Sequence, residues 1–228
     1  MGRADIILIN GSPRKNGNTA QMCASFARGA ESAGATTQTV HLYDITFTGC
    51  RSCFACKLKG GRHFGTCGFR DGITPVLESV FEAKGLVLAS PIYFGDLSAG
   101  MRAFMERMLF PILQYDATYS TVIKRRLKTA LIYTMNVPKD YFYNQYLGRP
   151  GSDTLTTFER NMAHLVADPA DVLPERLYAF DTYQFADYSK YVAPCFDEKE
   201  KARHRDEQFP KDLQTAFEAG ARMAQSLS

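Results

Sequence analysis

The feature that most constrains this chain is a polar, glycine-containing loop at residues 10–19, Asn-Gly-Ser-Pro-Arg-Lys-Asn-Gly-Asn-Thr. An apolar run, Ile6 to Ile9, precedes the loop, and an amphipathic segment begins at Thr19. The pattern therefore predicts a strand, a loop and a helix start in that order. Because the first N–H groups of a helix have no intrahelical acceptors, such a loop is suited to hold an anion such as a phosphate. The alternative is a polar turn that binds nothing.

The residues of this loop exclude two well-known phosphate-binding motifs. A nucleoside-triphosphate loop needs a Lys directly after its second glycine, whereas here Gly17 is followed by Asn18. A dinucleotide loop uses three closely spaced glycines, and this triplet is absent. What remains is a cradle of hydroxyl and amide groups, with one added positive charge from Arg14, that suits a single terminal phosphate.

Apolar periodicity predicts strands that alternate with helices along the chain. The predicted strands lie at residues 6–9, 36–42, 86–89, 127–135 and 176–185, and the helices begin near Thr19, Thr74, Ser98 and Lys211. This alternation favours right-handed crossovers and one parallel sheet that is covered by helices on both faces.

The length of the chain and the alternation of predicted strands and helices indicate one domain over residues 1–228. The chain has 228 residues, of which 45% are hydrophobic, enough for one substantial core. Residues 137–174 break the alternation, so we expect an insertion at about this position. Its aromatic part, residues 141–146, is expected to be an assembly surface, an active-site lid or a packed insertion.

Charge and apolar runs limit the partners that we expect. Lys and Arg total 27 against 24 acidic residues, a formal charge of +3 that is too small to argue for nucleic acid. Residues 1–20 lack the apolar core of a signal peptide, and no apolar run has the length of a membrane span. We therefore expect a cytoplasmic protein with no membrane partner. The four histidines share no spacing, so no catalytic side chain is predicted.

Four of the six cysteines lie in the loop at residues 50–67. Cys50, Cys53 and Cys56 repeat every third residue, and Cys67 follows after ten intervening residues. Two-residue gaps let a tight loop aim several thiolates at one centre, as in ferredoxin-like iron-sulfur sites, whereas zinc sites more often use two separated pairs. The alternative is a loop of reduced thiols, which is usual inside cells.

Two motifs resemble a known family. Gly-Ser-Pro-Arg-Lys-Asn-Gly-Asn-Thr at 11–19 and Ser-Pro-Ile-Tyr-Phe-Gly at 90–95 resemble the NAD(P)H-dependent FMN reductase group of flavodoxin-like proteins. The cysteine loop is similar to that of the iron-sulfur flavoproteins in the same group. The resemblance covers residues 4–136 well and the segment beyond 175 more loosely. It implies a three-layer α/β flavodoxin-like fold with a five-stranded parallel sheet of order 2-1-3-4-5, helices on both faces, and a ligand crevice between strands one and three.

The resemblance also implies cofactor-binding positions. The first motif would hold the FMN phosphate through Ser12, Arg14, Asn16, Asn18 and Thr19. The second would line the isoalloxazine ring through Pro91, Ile92, Tyr93, Phe94 and Gly95, although core packing at a strand end is the alternative for the two aromatic residues. Asn136, after the fourth strand, is a further expected contact. Cys50, Cys53, Cys56 and Cys67 would hold a 4Fe-4S cluster, although the fourth cysteine lies farther along than in those relatives.

The implied function is an FMN-dependent oxidoreductase that uses NAD(P)H to reduce a quinone, a flavin or a similar small-molecule acceptor. In such an enzyme the cofactor performs the electron transfer, so the protein need not supply an acid or a nucleophile. The alternative is an iron-sulfur flavoprotein that carries electrons between redox proteins such as ferredoxin, and a third reading is an FMN-binding sensor. Members of the family commonly form homodimers or homotetramers.

Overall fold

The computed structural model describes residues 4–147, 154–170 and 174–227. Its strands are β1 (Ile6–Asn10), β2 (Thr37–His41), β3 (Gly85–Tyr93), β4 (Asp96–Leu97), β5 (Lys128–Thr134) and β6 (Glu175–Ala179). They form a sheet of order β2-β1-β3-β5-β6, in which all neighbours are parallel, and the short β4 pairs antiparallel with β3. Because β5 and β6 are the fourth and fifth parallel strands, the predicted order 2-1-3-4-5 is confirmed.

The helices are α1 (Asn18–Ser32), α2 (Thr74–Glu82), α3 (Ala99–Ile112), α4 (Lys139–Phe142), α5 (Thr154–Leu165), α6 (Glu198–Glu207) and α7 (Phe209–Gln225). Ser98 starts α3 as predicted, because its Oγ accepts a hydrogen bond from the Met101 N–H at 3.3 Å. Residues 137–174 contain α4 and α5, and α6 has no counterpart in the sequence prediction. Across the described ranges, no helix combines the length and apolar character that crossing a bilayer requires.

The sheet is the middle layer of three because both of its faces are buried. Along β1, Ile7 and Ile9 belong to a core cluster that includes side chains of α2, α3 and α5. The alternate residues Ile6 and Leu8 belong to a second cluster with α1 and α7. A strand that is apolar on both faces is typical of a central parallel strand, so the fold class expected from the sequence is confirmed.

Two glycines let α1 and α7 touch through their backbones. A Cβ added at Gly29 would lie 1.8 Å from the carbonyl oxygen of Phe217, and one added at Gly220 would lie 2.0 Å from that of Phe26. Both contacts are with main-chain atoms, which cannot move aside as a flexible side chain does. Glycine is therefore required on both sides of this helix pair.

We expect Gly220→Ala to lower the free energy of unfolding by about 1–3 kcal/mol, since the new methyl group overpacks a backbone contact. Urea denaturation followed by circular dichroism measures this change. Glu218→Ala, on the exposed side of the same helix, is the matched control and should change stability by less than about 0.5 kcal/mol. Equal stability of the Gly220→Ala variant and the wild type would contradict the packing described.

Two predicted strands have different ends in the structure. The strand predicted at 86–89 runs on to Tyr93, because it pairs with β5 as far as Pro91, opposite Thr134, and its last two residues pair with β4. Phe94 and Gly95, at φ +52° and +80°, then form the two-residue turn into β4. The strand predicted at 176–185 already ends at Ala179, and Asp181 at φ +51° leaves the extended conformation.

Candidate functional site

The polar loop at residues 10–19 is shaped by the end of β1. The buried Asn10 accepts a hydrogen bond from the Ser12 N–H at 2.9 Å through Oδ1, and its Nδ2 lies 3.1 Å from Nδ1 of His41. Ser12 Oγ in turn accepts from the Arg14 N–H at 3.1 Å. The loop leads directly into α1, whose first turn contains no acidic residue. The positive end of the helix dipole therefore faces this loop without an anion of its own.

This loop forms one wall of a cleft of about 510 Å³ at the carboxyl edge of the sheet. Small-molecule sites commonly span roughly 300–1,000 Å³. The predicted cofactor residues that line the cleft are Ser12, Arg14, Asn18, Thr19, Pro91, Ile92, Tyr93, Phe94 and Asn136. The structure thus brings residues from three separate loops together at the position expected for this sheet order.

Asn16 and Gly95 were also predicted as cofactor contacts but lie outside this lining. The Asn16 carbonyl accepts a hydrogen bond from Gln21 Nε2 at 3.2 Å, next to the start of α1. Gly95 lies under the ring of Tyr146, where an added Cβ would be 3.0 Å from Cδ1 of that ring. Gly95 therefore shapes the cleft by letting Tyr146 approach, and its contact with a cofactor stays a prediction.

The two aromatic residues of the second motif are not core residues. Tyr93 is 44% exposed, and Phe94 is fully exposed with a positive φ that is uncommon for a bulky side chain. Burial raises the pKa of Tyr93 above its ordinary value of 10.0, although the nearby Arg14 lowers it in part. The Tyr93 hydroxyl is therefore protonated at neutral pH and can donate a hydrogen bond to a ligand.

Several lining residues were missed from the sequence: Gly17, Thr134, Met135, Val137, Tyr146, Thr182 and Gln184. Those next to Asn136 could have been found, because they follow the end of β5 at the same sheet edge. The contribution of the loop after β6 could not be predicted, because the sequence of residues 176–185 was interpreted as one strand. Its carbonyls accept hydrogen bonds from the first loop, from Arg14 Nη1 to Gln184 at 2.8 Å and from Asn18 Nδ2 to Tyr183 at 3.1 Å.

The aromatic segment 141–146 has a packed part and a part at the cleft. Phe142 is fully buried, and its ring centroid lies 5.8 Å from that of Tyr178 and 5.6 Å from that of Phe180. Tyr146 lines the cleft, whereas Tyr141 is 50% exposed. The segment is therefore anchored on the β6 side and supplies an aromatic wall to the cleft.

The four predicted metal-ligating cysteines line a second, small cavity of about 20 Å³. Its walls come from the cysteine loop and from α3, and the lining residues are Cys50, Arg51, Cys53, Phe54, Cys56, Cys67, Gly68, Phe69, Glu106, Arg107, Phe110 and Pro111. Cys56 is buried and Cys53 is exposed. Although ten residues separate Cys67 from Cys56 in the sequence, Cys67 lines the same cavity as the other three cysteines.

Arg107 fastens this loop to α3. Its side chain is 1% exposed and forms a bidentate ion pair with Asp71, in which Nη1 lies 2.8 Å from Oδ2 and Nη2 lies 3.1 Å from Oδ1. Nη1 also donates to the carbonyl of Thr48 at 3.0 Å, Nη2 donates to that of Phe69 at 2.7 Å, and Nε donates to Cys67 Sγ at 3.1 Å. The guanidinium thus holds both ends of the loop.

Lys57 is a second cation at the cavity. Its Nζ donates to the carbonyl of Pro111 at 3.2 Å and also to those of Phe110 and Leu113, at the carboxyl end of α3. Burial lowers the pKa of Lys57, whereas the neighbouring thiols of Cys56 and Cys50 raise it. Burial raises the pKa of Cys56, and the charge of Lys57 opposes that shift. The charge of Lys57 therefore favours the thiolate form of Cys56, although burial has the larger effect.

Within residues 4–147, 154–170 and 174–227, no three His, Cys, Asp or Glu side chains converge closely enough to hold a single metal ion. The four cysteines of residues 50–67 instead line one cavity. Four cysteines are the ligand number of a cubane iron-sulfur cluster, and whether these four hold one stays a prediction.

A larger groove of about 850 Å³ lies between α3 and α5. Met105, Phe158 and Leu165 are among its apolar residues, and no residue that was predicted to bind a cofactor lines it. It shares Glu106 and Phe110 with the cysteine cavity. The chemistry expected from the sequence is therefore concentrated in the two smaller sites.

Residues 4–123 match the sequence model of a family described as NADPH-dependent FMN reductase. Among curated proteins, an iron-sulfur flavoprotein of Methanocaldococcus jannaschii is 33% identical over 102 residues, which are 45% of this chain and 50% of that protein. An iron-sulfur flavoprotein of Archaeoglobus fulgidus is 34% identical over 101 residues, 44% of each chain. The chain spans about half the length of the curated relatives it matches.

Solved structures share the fold. The NAD(P)H:quinone oxidoreductase from Methanothermobacter marburgensis superposes with a TM-score of 0.68 at 13% identity, over 96% of this chain and 98% of that one. An FMN-dependent NADH-azoreductase from Bacillus anthracis, in complex with FMN, gives a TM-score of 0.63 at 14% identity, over 96% and 98% of the two chains. At these identities the likeness concerns the architecture.

Proposed function

Because this chain belongs to the NADPH-dependent FMN reductase family, we propose that it is an FMN-dependent oxidoreductase that takes electrons from NAD(P)H and passes them to a quinone, a flavin or a similar small acceptor. The observation that carries this proposal is the convergence of the polar loop and the Pro91–Phe94 strand end on one cleft. FMN, when bound, supplies the electron transfer, and the protein supplies binding, orientation and electrostatics.

The residues of the cleft fit the two ends of FMN. Ser12, Asn18 and Thr19 offer hydroxyl and amide groups beside the positive end of α1, and Arg14 adds a charge, which suits a monophosphate. Ile92 and Tyr146 give the apolar and aromatic surface that a flavin ring requires. Asn16 and Gly95 are kept in the proposal as predicted cofactor contacts of the same two loops.

Identification of the released flavin tests the cofactor. We expect mainly FMN from protein exposed to equal amounts of FMN and FAD, since the loop lacks the glycine triplet that accommodates a pyrophosphate. Chromatography after heat release measures the ratio of the two flavins. Recovery of mainly FAD would refute the assignment.

Arg14→Ala should weaken FMN binding while the fold stays intact. Arg14 is exposed, and its side chain donates a hydrogen bond to the Gln184 carbonyl. A charge-assisted hydrogen bond contributes roughly 1.5–3 kcal/mol, so the affinity should fall on the order of ten- to a hundredfold. Titration of the apoprotein with FMN, followed by flavin fluorescence, measures the change.

Lys15→Ala is the matched control for this variant. Lys15 is the next residue and pairs with Asp44 at 2.8 Å, with side chains that are 67% and 45% exposed. It lies outside the lining of the cleft. Equal FMN affinity of the Arg14→Ala variant and the Lys15→Ala control would place the phosphate elsewhere.

A second candidate function is electron transfer between redox proteins through a 4Fe-4S cluster, favoured by the cavity that Cys50, Cys53, Cys56 and Cys67 line together. The cluster would supply one-electron transfer, and these thiolates would hold it. Reduction of the flavin by reduced ferredoxin much faster than by NADPH would favour the carrier. The reverse order would favour the reductase.

The assembly state belongs to the same proposal. A homodimer or homotetramer is expected from the family resemblance, and light scattering of the purified protein measures it directly. A monomer at micromolar concentration would refute this part and leave the cofactor assignment untouched.

A further inference from the structure

Arg107 is the most buried charged side chain at the cysteine cavity, and the flavin cleft makes no use of it. The residue as a whole is 2% exposed and has one of the largest fully buried side chains among the described residues. It projects from α3, whereas all four cysteines lie on the loop that packs against this helix. Burying a guanidinium is costly, so its retention needs a compensating set of contacts.

These contacts use the whole guanidinium. An arginine has five N–H donors in a fixed planar fork. Four of them satisfy Asp71 and the carbonyls of Thr48 and Phe69, all through Nη1 and Nη2. The fifth, on Nε, points to Cys67 Sγ at 3.1 Å. The four bonds from Nη1 and Nη2 are enough to anchor the cysteine loop to α3. The bond from Nε to the Cys67 sulfur is therefore not needed for this anchoring.

The geometry points to Arg107 as a positioning residue of the proposed iron-sulfur site: we propose that it fixes the Cys67 sulfur and raises the reduction potential of the cluster held there. The inference rests on the proposed cluster. Reduction adds one electron to the cluster and so increases the negative charge on the cysteine sulfurs. A hydrogen bond from a cation to one of those sulfurs stabilises the reduced form more than the oxidised form.

Other charges at the cavity do not replace this bond. Lys57 directs its Nζ to carbonyls at the end of α3. Glu106 is an acid, and its Oε2 accepts from the Cys50 N–H at 3.1 Å. The Arg51 guanidinium lies 3.9 Å from the centre of the Phe69 ring. Among these groups, Arg107 is the one that the structure records as a side-chain donor to a cysteine sulfur.

The test compares Arg107→Lys and Arg107→Gln with the wild type and with Arg102→Gln. Arg102 lies on the same helix but is exposed and does not line the cysteine cavity. Protein is purified anaerobically, iron, sulfide and FMN per chain are measured, and the cluster potential is obtained by redox titration followed by electron paramagnetic resonance. The thermal unfolding temperature of each variant measures separately how much stability is lost when Arg107 no longer anchors the cysteine loop to α3.

We expect both Arg107 variants to keep FMN and to show a lower cluster potential, with the larger shift in Arg107→Gln, whereas Arg102→Gln stays at the wild-type value. If Arg107→Gln loses iron, the Arg107→Lys variant decides, because a lowered potential in iron-containing Arg107→Lys protein supports the proposal. A folded Arg107→Lys protein with iron and the wild-type potential overturns it. A wild type without iron overturns the cluster as well, so the two failures are distinguishable.

Discussion

Replacing Asp71 by Ala is expected to lower the free energy of unfolding by about 3–5 kcal/mol, the range observed when one partner of a buried ion pair is removed. Arg107 is 1% exposed and pairs with Asp71 through two hydrogen bonds. Without the carboxylate, a desolvated guanidinium keeps only the carbonyls and one sulfur as acceptors. The cysteine loop then loses the anion that anchors it to α3.

Chemical denaturation of the purified variant measures this loss. Asp44→Ala is the matched control, because Asp44 pairs with Lys15 at a similar distance of 2.8 Å with both side chains exposed. Exposed pairs contribute about 0–1 kcal/mol, so the control should be nearly as stable as the wild type. Equal losses in the two variants would contradict a buried ion pair at Arg107.

The same ion pair predicts a dependence of stability on pH. Burial alone would raise the pKa of Asp71, but hydrogen bonds from Arg107 and its charge bring the pKa below the ordinary value of 3.8. A carboxyl group with a lowered pKa in the folded state stabilises fully above the unfolded pKa and loses this effect as pH falls through the folded pKa. Below about pH 4 the wild type should therefore lose stability more steeply than the Asp71→Ala variant.

The second large effect is complete loss of the proposed cluster from the Cys56→Ser variant. Cys56 is the buried thiol of the cavity, and a cubane with four cysteine ligands carries about four irons and four sulfides per chain in the wild type. Iron and sulfide assays on anaerobically purified protein measure both. FMN content should not change, because Cys56 does not line the flavin cleft.

Cys195→Ser is the matched control for this experiment, since Cys195 is exposed and lies away from the cysteine cavity. It should retain iron, sulfide and FMN at wild-type levels. Iron-free wild-type protein from iron-replete anaerobic cells, with four freely reacting thiols in residues 50–67, would leave the flavin as the proposed redox centre.

Local sequence patterns were sufficient to predict the strands of the sheet and the polar loop that forms one wall of the cleft. The apolar run Ile6 to Ile9 and the polar loop after it predicted a central strand followed by a helix start, and both are present. The alternation of strands and helices predicted a parallel sheet with crossovers, and the family resemblance supplied the strand order. The order places the ends of β1 and β3 beside the crevice, so the position of the two motifs was also predictable.

Contacts between distant segments could not be predicted from local patterns. The ring of Tyr146 lies in the cleft close over Gly95, where an added Cβ would be 3.0 Å from Cδ1 of the ring. Gln184 lies there because Asp181 turns the chain after a strand that had been expected to continue. The sequence assigned no role to Arg107, and only the packing of the cysteine loop onto α3 reveals one.

The central claim is that the cleft between the polar loop and β3 binds FMN for reduction by a nicotinamide cofactor. The most direct measurement is anaerobic mixing of FMN-loaded protein with one equivalent of NADPH, and in parallel NADH, followed by the visible absorbance of the flavin. We expect at least one of the two nucleotides to bleach the flavin absorbance within seconds. In the Arg14→Ala variant at subsaturating FMN, this bleaching should be slower. Flavin that stays oxidised with both nucleotides, yet is bleached by dithionite, would contradict the proposed function.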